Sequence, residues 1–158
     1  MKKRKIIAVG LVLLILLQLL TGCASYHAKL FDSAAEWIDE DFVQSNIVVL
    51  VDSDNEGYPH DRTFIVKTQE EYDRIFNKDI SELTIDFESQ MLVIYTFVDI
   101  YKRDIRLKTL SVEENTLEIE YQMEKKYFVG DACKPYQRWF VVRLDKLDVD
   151  AAVFEESR

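Results

Sequence analysis

The chain has 158 residues, with 29 acidic against 20 basic side chains and a formal charge of −9. That length suits one domain. The negative balance excludes a nucleic-acid or anionic-lipid surface, because both need a basic footprint.

The first element is a leader. Lys2, Lys3, Arg4 and Lys5 form a basic head, and Ile6 to Leu20 is apolar apart from Gly10 and Gln18. A membrane-spanning helix needs roughly 20 apolar residues, and this run is shorter. A basic head, a short apolar core and small residues before a cut mark residues 1–22 as a secretory signal. The residues Leu20-Thr21-Gly22-Cys23 resemble the bacterial lipobox. That resemblance implies acylation of the Cys23 sulfur and a cut just before it. Two or more acyl chains on Cys23 give stable anchoring, where one gives only marginal binding. The expected location is the cell membrane, with the chain facing outside the cytoplasm. The cut removes four basic residues and no acidic ones, so the mature chain is more acidic still.

Cysteine usage agrees with export. Disulfides form outside the cytoplasm, but lipid consumes Cys23 and leaves Cys133 without an intrachain partner. Cys133 reads as a plain thiol, or as a link to a second chain. One free cysteine and two histidines at this spacing build no metal cluster, and no cofactor is expected.

Residues 23–30 read as a short tether, and residues 31–158 as a single mainly-β domain. Phe31 to Phe42 carries Ala34, Ala35, Trp37 and Ile38 among acids. It predicts a helix capped by Asp32 or Ser33. The run NIVVLVDS, from Asn46, is apolar and β-branched and predicts a strand buried on both faces. It leads into Asp52 to Gly57, DSDNEG, which opens like a calcium loop with acids at positions 1, 3 and 5 and glycine at 6. Position 12 is Thr63, where a bidentate glutamate belongs, so a solvated turn is the preferred reading. RTFIVK is the next strand. In TQEEYDRIFN, Thr68 and Glu71 have the spacing of a capping box. Tyr72, Ile75 and Phe76 share one helical face there.

MLVIYTFV, Met91 to Val98, is apolar on both faces and predicts a central strand. DIRLKTLSV and NTLEIEYQME predict a hairpin. In its second strand Leu117, Ile119, Tyr121 and Met123 alternate with Glu118, Glu120, Gln122 and Glu124. In its first strand Ile105 and Leu107 are out of phase with Leu110 and Val112. A bulge near Lys108 or Thr109 reconciles them and sets Lys108 opposite Glu120. Pairing Val112 with Leu117 leaves Glu113 to Thr116 as the loop. EKKYFVGDACKP has no period and reads as a loop. YQRWFVVRLDK is a third interior strand, and LDVDAAVF fits either strand or helix. Together these elements predict an α+β domain, mainly antiparallel β. It is a sandwich or rolled sheet with one or two short helices across it.

Little here carries chemistry. Cys133 is far from both histidines in sequence, and neither a Gly-x-Ser-x-Gly elbow nor a phosphate-binding glycine loop occurs. The chain is expected not to be an enzyme. Two segments break the acidic background: Tyr101, Lys102 and Arg103, then Lys125, Lys126, Tyr127 and Phe128. Aromatic and basic side chains are typical of protein contacts. Both segments flank the hairpin at its open end, so they are the candidate partner-binding residues.

The segments FIVKTQEEYDRIF, IDFESQMLVIYTF and PYQRWFVVRLDK resemble the C-terminal domain of the PrcB-type protease-complex stability proteins. Asp86-Phe87 stands before the central strand and Pro135-Tyr136 before the last long strand, as in that family. The family's glycine-rich motif after the central strand is replaced by IYKRDI. The resemblance implies a non-catalytic accessory domain, lipid-anchored in many members. The expected function is therefore a monomeric, membrane-anchored module that binds a protein partner. The alternative is an anchored ligand- or ion-binding protein using Asp52 to Gly57.

Overall fold

Met91 to Phe97 and Arg138 to Val142 are long buried runs, and they lie side by side in a computed structural model of the protein. The structure describes residues 26–32, 34–47, 49–50, 58–77, 80–99, 103–125 and 136–157. Its strands are β1 (Ala28–Asp32), β2 (Val49–Leu50), β3 (Tyr58–Pro59), β4 (Arg62–Val66), β5 (Gln90–Asp99), β6 (Arg103–Glu113), β7 (Thr116–Lys125), β8 (Tyr136–Asp145) and β9 (Ala151–Glu156). Two short helices join them, α1 (Glu40–Asn46) and α2 (Gln69–Ile75).

A four-stranded antiparallel sheet runs β1-β8-β5-β4. A second sheet runs β6-β7-β9, and β9 lies parallel to β7. The link from Asp145 to Ala151 is short, so β9 starts at the end of the sandwich where β8 stops. The β7 strand starts at that same end, which makes the pair parallel.

Strand alternation explains the two-faced apolar runs. Met91, Val93, Tyr95 and Phe97 point toward the second sheet and pack with Phe140, Val142, Leu117, Ile119 and Tyr121. Leu92, Ile94, Trp139 and Val141 point the other way, under Ala34, Ile38, Ile75, Phe76 and Leu83. The fold is thus an α+β sandwich of two β layers, with a helical layer outside the central sheet.

The capping box at α2 forms as its spacing predicts. The Thr68 hydroxyl accepts the Glu71 N–H at 3.2 Å, and the Glu71 carboxylate accepts the N–H groups of Thr68 and Lys67 at 3.1 and 2.7 Å. The first helix differs from expectation. Phe31 and Asp32 belong to β1, a single 3-10 turn spans Ala34–Trp37, and α1 begins only at Glu40. Asp39 caps it by accepting from Asp41 and Phe42 at 2.9 and 3.2 Å. The segment read as a tether likewise enters the sheet early. Ala28 pairs with Leu144, so the domain starts inside residues 23–30. Among its described residues, NIVVLVDS supplies no interior strand of the main sheet. Its described part ends α1 at Asn46 and then pairs Val49–Leu50 with Tyr58–Pro59 in a separate ribbon.

The hairpin holds the predicted bulge, with the register beyond it shifted by one residue from expectation. The register slips between Leu107 and Thr109, so Lys108 is the extra residue and Thr109 faces Glu120. The Thr109 hydroxyl donates to the Glu120 carboxylate at 2.8 Å, replacing the expected Lys108–Glu120 pair. The slip lets Ile105, Leu107 and Leu110 share one core. The ladder also runs one pair further than expected, to Glu113–Thr116. That leaves a two-residue turn, with φ of 47° at Glu114 and 63° at Asn115. Two positive φ values identify the mirror turn that matches strand twist, and it favours asparagine or glycine at both positions. Glu114→Asn is therefore expected to raise the unfolding free energy by about 0.5–1 kcal/mol, since glutamate tolerates left-handed backbone poorly. Equilibrium urea unfolding checks this, and an unchanged midpoint would contradict it.

Candidate functional site

Of the sequence-predicted partner-binding residues, Arg103 and Lys125 are placed at the open end of the hairpin. Arg103 pairs with Lys125 across β6 and β7, and Asp99 pairs with Tyr136 across β5 and β8. The segments that follow Asp99 and Lys125 therefore leave from the same end of the sandwich. Tyr101, Lys102, Lys126, Tyr127 and Phe128 lie outside the described residues, as do Cys23, Cys133 and the Asp52 to Gly57 string. Lys125 is described only as the last residue of β7.

Arg103 is described, and it turns inward. Its side chain is 24% exposed, and its guanidinium lies 3.4 Å from the Asp99 carboxylate and 3.9 Å from that of Glu156. These two contacts tie it to the domain itself. Asp99 is buried and also lies 3.8 Å from Arg138, which is 7% exposed. Arg138 donates to Asp32 at 2.7 Å and sits 5.7 Å over the Phe97 ring. The chain of charges Asp32–Arg138–Asp99–Arg103–Glu156 joins β1, β8 and β5 of one sheet to β6 and β9 of the other. A buried charge is tolerated only when paired, so each of the two arginines is placed between carboxylates.

Strand phase could have revealed this network. Asp99 is in phase with Tyr95 and Phe97, and Arg138 with Phe140 and Val142, so both point between the sheets. Asp32 shares the phase of Leu30. It accepts from Arg138 at 2.7 Å.

Below the network lies an aromatic cluster. Phe140 meets Tyr95, Phe97, Tyr121 and Phe154 at centroid distances of 5.2, 6.0, 5.7 and 5.1 Å. The Tyr95 hydroxyl donates to Asp61 at 3.0 Å. Burial pushes its ionisation well above the ordinary tyrosine value, and the neighbouring Tyr121 and Asp61 add to the rise. Burial also raises Tyr121, against a lowering from its hydrogen bond with Tyr95. Both phenols stay protonated at neutral pH and supply no base or nucleophile there.

An open groove of about 650 Å³ follows the outer edge of β4. Phe42, Phe64, Ile75 and Ala152 form its apolar wall, and Glu71, Arg74 and Asp150 its charged rim. The rim mixes both signs and selects no ligand charge. Glu71 is already committed to the α2 capping box. Among the described residues, no three of histidine, cysteine, aspartate and glutamate gather to hold a metal ion. Among the same residues no helix is long and apolar enough to cross a membrane.

Comparison with known proteins gives no match to a family model, a curated protein or a solved structure. The resemblance to the PrcB-type domain therefore rests on the quoted segments alone.

Proposed function

We propose that this chain is a lipoprotein anchored through Cys23 on the outer side of a cell membrane, where its β domain is a monomeric, non-catalytic module for a protein partner. The observation that carries the proposal is Leu20-Thr21-Gly22-Cys23 behind a basic head and a short apolar run. The partner-binding half is supported by the hairpin register. That register roots the segments bearing Tyr101 and Lys102, and Lys125 to Phe128, beside each other at Arg103 and Lys125. In such a patch the aromatic rings contribute affinity, and the lysines mainly contribute association rate. Arg103 contributes by fixing the root of one segment through Asp99 and Glu156.

Intact mass of the membrane-extracted protein tests the anchor. The expected species starts at Cys23 and carries acyl chains, and Cys23→Ala leaves the chain uncut or released. A mass equal to the unmodified full chain would overturn the proposal. Binding is tested by capture from the native cell surface. Tyr127→Ala or Phe128→Ala should weaken capture more than neutralising any one lysine, and equal capture by all variants would remove the patch from consideration.

A further inference from the structure

Cys23 lies five residues before Ala28, where β1 enters the central sheet. Five residues reach at most about 17 Å when fully extended. The central strands β5 and β8 are ten residues each, which makes the sandwich about 33 Å long. An anchor at Cys23 can therefore approach only one end of the domain.

Several features define that end. Ala28 pairs with Leu144, Gln90 pairs with Asp145, and the Lys146 N–H donates to Ser89 at 2.9 Å. The hairpin turn is there too, since Asn115 accepts the Asp150 N–H at 2.8 Å. The opposite end carries Asp99 and Tyr136, which pair across β5 and β8, with Arg103 and Arg138 beside Asp99.

We propose that the anchored protein stands on its Ala28 end, so that the end bearing Asp99, Arg103 and Tyr136 faces away from the bilayer and is the surface its partner meets. This orientation rests on the lipid-anchor proposal. The short tether sets the orientation, and charge sets only how closely that end approaches the bilayer. Asp86, Glu88, Glu113, Glu114, Asp148 and Asp150 are all exposed at the near end. A bilayer with anionic lipids repels carboxylates within a Debye length, about 8 Å at physiological salt. The near end is thus held close to the headgroups without seating on them. The partner is then a protein reached from the aqueous side, about one strand length above the membrane, rather than one whose contact surface lies at bilayer level.

The test uses the full acylated chain carrying Cys133→Ser, with one dye attached at Glu88→Cys or at Glu124→Cys. Glu88 is exposed at the near end. Glu124 is exposed at the far end, opposite Asp104. The protein is placed in vesicles of phosphatidylcholine with phosphatidylglycerol and a headgroup-labelled acceptor lipid. Energy transfer should be several-fold greater from position 88 than from position 124. Equal or reversed transfer in a sample whose mass shows the acyl chains overturns the orientation alone. A mass without acyl chains overturns the anchor, and the orientation with it.

Discussion

Replacing Phe140 with alanine lowers the unfolding free energy by about 3–5 kcal/mol, the usual cost of removing a buried aromatic ring from a packed core. Phe140 is fully buried, and four rings surround it within 6.0 Å. The surrounding rings sit on β5, β7 and β9, so the void opens between two sheets that cannot collapse into it independently. Phe140→Leu should cost clearly less, because it keeps most of the volume. Urea denaturation of the mature domain reads both values. A loss below about 1 kcal/mol for the alanine variant would mean that the sheets close over the gap, contrary to the expected partial relaxation.

The second large effect is at Arg138. Arg138→Met is expected to cost about 3–5 kcal/mol, because breaking a buried ion pair strands its partner charge in the interior. The group left under-compensated is Asp99, whose side chain is 5% exposed; Arg103 remains at 3.4 Å, so the loss is expected at the lower end of that range. Asp32→Ala should cost less, since Asp32 is 30% exposed and water can replace it. A double-mutant cycle between Arg138 and Asp32 should show a coupling of about 0.5–3 kcal/mol, the range for residues in direct contact. Additive single-variant losses would show that the 2.7 Å contact contributes nothing of its own.

Much of the β architecture was legible because burial writes itself into composition. MLVIYTFV and YQRWFVVRLDK have no polar face, and the structure covers both of their faces. TQEEYDRIFN announced its cap and its packed stripe together. The hairpin showed its bulge as a phase reversal between Leu107 and Leu110. Phase alone does not say which residue absorbs the slip, and Lys108 was set into the ladder instead of out of it. The turn was missed because Glu114-Asn115 is an unusual pair for two positive φ values.

Long-range pairing hid the rest. The strand AKLFD is too short for its alternation to stand out, and its partner β8 lies over a hundred residues away. Ala28 to Leu30 therefore looked like tether. Asp32 read as a cap candidate, and nothing local tells that Arg138 will reach it. The same is true of Arg103, which stood out by its charge against an acidic chain. Its actual partners, Asp99 and Glu156, are supplied by two different sheets.

The short path from Cys23 to β1 also has a mechanical meaning. In the proposed anchored state, the tethered end of the chain feeds directly into a strand that pairs along its whole length with β8, from Ala28–Leu144 to Asp32–Phe140. Ladder hydrogen bonds lie perpendicular to antiparallel strands. A pull between the membrane and the far end of the domain runs along β1, so it loads all five residue pairs of the ladder together in shear instead of peeling them one by one. Under that proposal, the strand nearest Cys23 is placed where tension is shared most evenly.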